Sequence, residues 1–393
     1  MKRNLVLLGV AGLLLAAAPG LRAQLNIPSD GSDGVLDVTS NTVIDLSLAV
    51  PGRWDTNNSP NAGRGVYDTE KWAVVFKYQS VNIAPGATVS FLNHPAHPPV
   101  VWLVQSNVTI EGTVDVSGKV GTGLIPESLV PTEPGPGGFR GGAYGPLGQG
   151  GGYGPGGGIG GRGNASDAVG RYAGSYGNPQ ILPLIGGSGA AAYGPISRGG
   201  GGAILVAARS RITVNGAILA NSPSGPNSGV NGSGGAIKLI ANEVLGNGQL
   251  EALPASLAGR VRIETPTLAG TIIISPESIN VPPANPPVLW PPDTAPTVRV
   301  KSVAGVSTPA EVSAPLVNSA DLAVQVNGTT FVELETRNFP IEGSVQVRVG
   351  AKFGNAAWYN ATFQSGGFTS AVWRASVPLA AGFSALQARA TAP

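Results

Sequence analysis

Apolar and polar positions alternate with a period of two through much of the chain, as at Val108, Ile110, Val114 and Val116 and again at Ile212, Val214 and Ile218. That period marks β-strands with one buried face, because successive side chains leave opposite sides of a pleated strand. Four segments, 73–91, 100–117, 203–221 and 236–253, share one layout. Each runs from an apolar strand through a polar corner to a second short strand, then through a glycine or Asn-Gly turn to a third. Val100 and Ala236 precede their turn glycines, Gly112 and Gly248, by 12 residues, and Ala203 precedes Gly216 by 13. One residue of slack is what a corner absorbs. A shorter copy at 261–274 closes the series.

One such unit cannot bury its apolar face, but stacked units can, each pairing with the next at about 4.8 Å over a shared core. The expected fold is therefore all-β, a parallel β-helix or closely related β-solenoid over 24–274, with antiparallel hairpins folded into an ordinary sandwich as the competing arrangement. An insertion at 135–202 carries 28 glycines in 68 residues. Long loops of this kind are functional or disordered, so two expectations stand open: ordered loops laid over the stack, or a flexible segment. Eight prolines in 275–296 predict a stiff linker. From 297 to 393, short alternating stretches (TVRVKSV, ADLAVQV, TFVELETRNF, SVQVRVGAKF, AAWYNATF, SAVWRASV, SALQARATA) predict an immunoglobulin-like β-sandwich, with Trp358, Tyr359 and Trp373 in its core.

Composition narrows the chemistry. Charged residues make up only 12% of the 393 and hydrophobic ones 42%, which excludes disorder driven by charge repulsion. No cysteine means no disulfide and no thiolate chemistry, and two histidines leave little for proton transfer near neutral pH. The start of the chain reads as a signal peptide over 1–23: Lys2 and Arg3, an apolar run from Leu5 to Ala18, the breakers Pro19 and Gly20, and cleavage near Ala23. Cleavage leaves 21 basic and 22 acidic residues, a near-neutral exported chain with no electrostatic reason to bind nucleic acid and no further apolar span for a membrane.

The stretches GPGGFRGG (135–142), YGNPQILPLIGGSG (176–189), SGGAIKLIA (233–241) and GRVRIE (259–264) resemble a group of exported bacterial glycine-rich proteins of undefined activity, in which GG-A-I-x-L strands follow a glycine-rich segment. The likeness covers roughly 72–264. It implies a surface or extracellular β-solenoid followed by a similar sandwich domain, and it implies no reaction. At 188–202, SGAAAYGPISRGGGG departs from the uninterrupted glycine run of that group.

Candidate chemistry is sparse. A β-helix polysaccharide lyase or glycoside hydrolase needs two carboxylates at a set separation, or a carboxylate-bound Ca²⁺ beside a basic residue. The candidates are Glu111 with Asp115 or Glu251. Asn215 and Asn247 occupy the place of Glu111 in later repeats, where they are expected to cap turns or form a stacked amide ladder. His94 and His97 have the spacing of some metal pairs, although Pro95 and Pro98 forbid a chelating helix; the alternative is a plain corner loop. Trp54, Asp55, Tyr67, Asp68 and Trp72 form a varied polar and aromatic stretch that suits either a sugar-binding face or a cap over an open strand edge. The GxGxxG strings at 152–157 and 158–163 follow no clear strand and reflect composition. The expected function is a secreted, non-enzymatic structural or adhesive protein of the bacterial surface or matrix, with polysaccharide among its candidate partners. The alternatives are the polysaccharide-active enzyme and a carbohydrate-binding accessory protein.

Overall fold

The computed structural model describes residues 24–119, 133–142, 144–145, 148–157, 177–191, 198–223, 231–254, 257–309, 321–351, 356–382 and 384–393. Residues 1–23, read above as a signal peptide, and much of the glycine-rich insertion lie outside these. The described chain is all-β: the strands of the thirteen- and six-stranded sheets pair mainly in parallel, and those of a seven-stranded sheet pair antiparallel.

Three columns of parallel strands run side by side from residue 34 to 281. The first stacks Ala73–Ile83, Val100–Val104, Ala203–Ala208, Ala236–Ile240, Arg260–Glu264 and Ile279–Val281. The second begins on Gly34–Val38, pairs it with the far half of Ala73–Ile83, and continues through Val108–Ile110, Arg211–Val214, Glu243–Gly246 and Leu268–Gly270. The third stacks Thr42–Asp45, Thr88–Leu92, Thr113–Asp115, Ala217–Leu219, Gln249–Glu251 and Ile273–Ser275. Register follows the repeats: Val100, Ile204, Ile237 and Val261 share one row, and Val114, Ile218, Leu250 and Ile274 another. The slack residue falls at a corner, where three residues separate Ala207 from Arg211 but two separate the paired Ile240 from Glu243. A first layer at 34–45 and a last strand at 279–281 extend the series beyond the segments that the repeat pattern marks.

Inward rows of Val, Ile, Leu, Phe76, Tyr78 and Trp102 fill one continuous core between the columns. The first column is buried on its outer face as well, contrary to the expectation of a single buried face. Its strands VVWLV, AILVAA and AIKLI are buried along their whole length, the near-continuous apolar runs typical of parallel strands covered on both sides. Leu25 and Ile27, Ile181 and Leu184, and Leu289 of the proline-rich stretch pack on that outer face. The proline-rich stretch thus lies along the body: Asn26 N donates to Asn285 Oδ1 at 3.0 Å, and Lys238 Nζ donates to Val288 O at 3.2 Å.

The described glycine segments sit where the chain crosses from the third column back to the first. They are extended and bond to one another through backbone: Gly187 N to Gly201 O, Gly200 N to Phe139 O, Gly201 N to Ser233 O, and Gly202 N to Val116 O. A Cβ on Gly235 would stand 1.7 Å from Gly202 O, and one on Gly200 1.9 Å from Gly187 O. Close backbone approach therefore dictates glycine here.

The C-terminal residues form an antiparallel sheet in the order Val306–Ser307, Thr297–Val303, Gly328–Arg337, Ser370–Leu379, Ala356–Gly367, Ser344–Ala351, Ser384–Thr391. Hydrogen bonding runs through all seven strands as one path, and Thr297–Val303 and Ser384–Thr391 also approach each other. Val332, Leu334, Val347, Trp373 and Val377 fill the core of this unit. ADLAVQV is no strand, yet Leu322, Val324 and Val326 keep their alternation and pack on that core.

Candidate functional site

The corner between the second and third columns carries the turn residues of every repeat. Gly112, Gly216 and Gly248 stack there. A Cβ on Gly216 would meet Gly112 O at 1.8 Å, and one on Gly248 would meet Gly216 O at 2.1 Å. The recurring turn glycine thus answers to the layer beneath it. Beside this row, Asn215 Oδ1 accepts from Asn247 N at 3.3 Å, and Asn247 Oδ1 accepts from Thr271 N at 3.2 Å and Thr271 Oγ1 at 2.9 Å. Of the two roles expected for the aligned asparagines, these bonds are those of a cap: each side-chain oxygen satisfies a backbone N–H of the next layer at an open corner. Glu111, Thr113, Gln249 and Ile273 complete an open groove of about 330 Å³ along it.

The three candidate carboxylates do not meet. Glu111 lies at the corner. Asp115 and Glu251 share a row of the third column with Leu219 between them, two ladder steps or about 10 Å apart. Asp115 Oδ1 accepts from Ser117 N at 2.9 Å, and Glu251 Oε2 accepts from Asn221 Nδ2 at 3.1 Å. Asp115 ties down the residues that follow it, and Glu251 ties its layer to the turn of the layer before.

His94 and His97 sit in a packed loop. His94 packs tilted against Tyr67, with ring centroids 4.1 Å apart, and its Nδ1 accepts from Ala96 N at 3.0 Å. His97 has φ 50°, and its Nδ1 is buried without a hydrogen-bond partner. Burial, with Arg140 and His94 adding positive charge, lowers its pKa to about 4, so the ring stays neutral at physiological pH. Trp72 Nε1 donates to Ala96 O at 2.9 Å and closes the loop. Among the described residues, no three His, Cys, Asp or Glu side chains gather as a metal-binding group.

The aromatic and acidic residues between 54 and 72 diverge. Tyr67 is buried in the core between the columns, while Trp54 packs against the cluster on the outer face of the first column beside Trp290, 5.6 Å away. Asp68 is buried, and its oxygens accept from the backbone nitrogens of Trp54, Glu70 and Lys71. Asp55 is exposed and paired with Arg53 at 2.9 Å. Nearby, Asp33 works as a hub that the sequence reading missed: Oδ1 accepts from Asn58 Nδ2, Gly63 N and Gly65 N, and Oδ2 from Lys77 N. Its buried carboxylate ties the 57–65 segment to the first column. Asp33 stands in an ordinary Ser-Asp-Gly turn sequence, which gives no signal of that role.

In the first column a buried lysine and glutamate are paired. Lys238 and Glu264 side chains are 1% and 8% exposed and 3.2 Å apart, and Arg262 Nε reaches the same Glu264 oxygen at 2.6 Å. Burial lowers the Lys238 pKa, and the Glu264 carboxylate opposes that shift.

Fold and site define an all-β chain with parallel stacked ladders and an antiparallel C-terminal sheet. No family model, curated protein or solved structure matches it. Among the described residues no helix is long and apolar enough to cross a membrane.

Proposed function

We propose that the chain is a secreted, non-enzymatic structural or adhesive protein of the bacterial cell surface or extracellular matrix. In this reading residues 24–274 form a parallel β-helix with the described glycine segments as part of the rod, and residues 297–393 form an immunoglobulin-like β-sandwich. The aligned rows of Val, Ile and Leu support the first assignment, and seven antiparallel strands folded over one core support the second. The carrying observation is the glycine body, in which backbone packs on backbone without room for a Cβ. Such packing makes a stiff element, and the polar side chains around it are engaged in holding turns. A stiff rod displays weak contacts along its length, and these add up when geometry lets them engage together.

The test joins location to turnover. Fractionation of the producing cells is expected to find the chain outside the cytoplasm with its N-terminus near Gln24. Incubation with uronic-acid and neutral polysaccharides, with and without Ca²⁺, is expected to release neither reducing ends nor unsaturated products. Turnover that disappears in Glu111→Ala or Asp115→Ala would overturn the proposal in favour of a polysaccharide-active enzyme.

A further inference from the structure

The outward face of the C-terminal sheet carries a groove of about 410 Å³ lined by Phe331, Tyr359, Asn360, Thr362, Gln364, Arg374 and Ser376, within the size range of small-ligand sites. Strand pairing fixes its shape. Ser376 stands opposite Phe331, and Arg374 stands opposite Thr362 on the other side. The middle strand Ser370–Leu379 therefore supplies the floor. Phe331 forms one wall, and Asn360, Thr362 and Gln364 form the other. Two strand spacings separate the backbones of the walls by about 10 Å, with the side chains of Arg374 and Ser376 on the floor between them.

The chemistry of the two walls differs. Phe331 keeps 55% of its surface exposed at an outward position of a strand whose next outward residues are Glu333 and Glu335, so an apolar ring stands where alternation calls for a polar side chain. The Arg374 guanidinium lies over this ring, 5.4 Å from its centroid, and Arg374 Nη2 donates to Glu333 Oε1 at 2.8 Å, which balances its charge. On the opposite wall Gln346 Nε2 donates to Asn360 Oδ1 at 2.6 Å, and Arg389 Nε donates to Gln346 Oε1 at 2.6 Å. This relay orients the Asn360 amide. Gln364 Nε2 is directed to Thr362 Oγ1 at 3.1 Å. Among the described residues, Asn360 Nδ2, Ser376 Oγ and Gln364 Oε1 have no protein hydrogen-bond partner.

We propose that this groove binds a neutral saccharide, with Phe331 as the stacking platform and Asn360, Ser376 and Gln364 as the hydrogen-bonding groups. An exposed ring matches the C–H face of a pyranose, while amides and a hydroxyl in one groove match hydroxyls that both donate and accept. The balanced Arg374–Glu333 pair sets the preference for an uncharged ring. This site is separate from the Trp54 region and does not depend on the rod being a scaffold.

The test uses the mature chain, residues 24–393, with cellulose, xylan, mannan and chitin as neutral probes and pectate as the acidic one. Pull-down on the insoluble polymers and affinity electrophoresis in the soluble ones are expected to show binding to at least one neutral glycan. That binding should weaken at least tenfold in Phe331→Ala and in Ser376→Tyr, which fills the groove from an exposed floor position, and should persist in Trp54→Ala. Binding to none of the neutral glycans, equal binding by both groove variants, or preference for pectate would overturn the assignment. Cell fractionation and turnover, which test the proposed function, are unaffected by any of these outcomes.

Discussion

The aliphatic stack and the glycine body solve the same packing problem with opposite materials. In the stack, layers sit one strand spacing apart and side chains such as Trp102, Phe76 and Ile204 fill the space between columns. In the glycine body, removal of side chains lets backbones close on one another until amide and carbonyl groups meet, as between Gly187, Gly200 and Gly201. The stack gains from burying apolar surface. The glycine body gains hydrogen bonds and close contact, but it pays more chain entropy for each residue ordered. The comparison teaches that a glycine-rich segment can order when a preformed edge receives it, here the crossings at Val116, Ala220 and Ala252.

Substitutions can break this contrast. Trp102→Ala, which empties the centre of the core between the columns, is expected to have the largest effect, a loss of about 3–5 kcal/mol in urea unfolding. Gly235→Ala adds a single carbon, yet should cost about 2–3 kcal/mol because backbone on the neighbouring segment must move. Gly367→Ala, at a position with open space around it, should stay within about 0.5 kcal/mol. Equal effects from the two glycine variants would remove the distinction between packed and merely abundant glycine.

A further effect concerns pH. His97 is held neutral in the fold with its pKa near 4, whereas an unfolded histidine titrates at about 6.5. Between these values the unfolded chain binds the extra proton, so stability is fully present above pH 6.5 and is lost as pH falls toward 4. His97→Asn, which tolerates the left-handed backbone, should flatten that part of the Tm-against-pH curve. An unchanged slope would show that other groups set it.

Much of the stack was legible in the sequence because its signals are local and repeated. Turn glycines recur at fixed distances, and the register of 261–274 continues that of 236–253 without slippage. The covered outer face of the first column was readable too, since AVVF, VVWLV and AILVAA do not alternate. What hid it is that its covers, Leu25, Ile181 and Leu289, come from three distant and irregular segments. The single hydrogen-bonded path of the C-terminal sheet was not readable, because alternation fixes which face is inward but not which strand lies beside which. For the groove on that sheet the signal was Phe331, an apolar residue out of phase with its strand. Its partners Asn360, Thr362 and Ser376 reach it only through cross-strand pairing. The residues between 54 and 72 misled in the opposite direction, because a stretch rich in Trp, Tyr and Asp reads alike whether it faces a ligand or closes the end of a stack.

Amide hydrogen exchange on residues 24–393 tests most directly whether the glycine segments share the order of the aliphatic stack. The account predicts that peptides covering 135–142, 184–191 and 198–202 exchange slowly, on the timescale of those covering 203–208 and 236–240, since the amides of Gly186, Gly187, Gly189, Gly200, Gly201 and Gly202 all donate to backbone carbonyls. Exchange of those glycine peptides at the rate of an unstructured chain, beside protected strands, would contradict it.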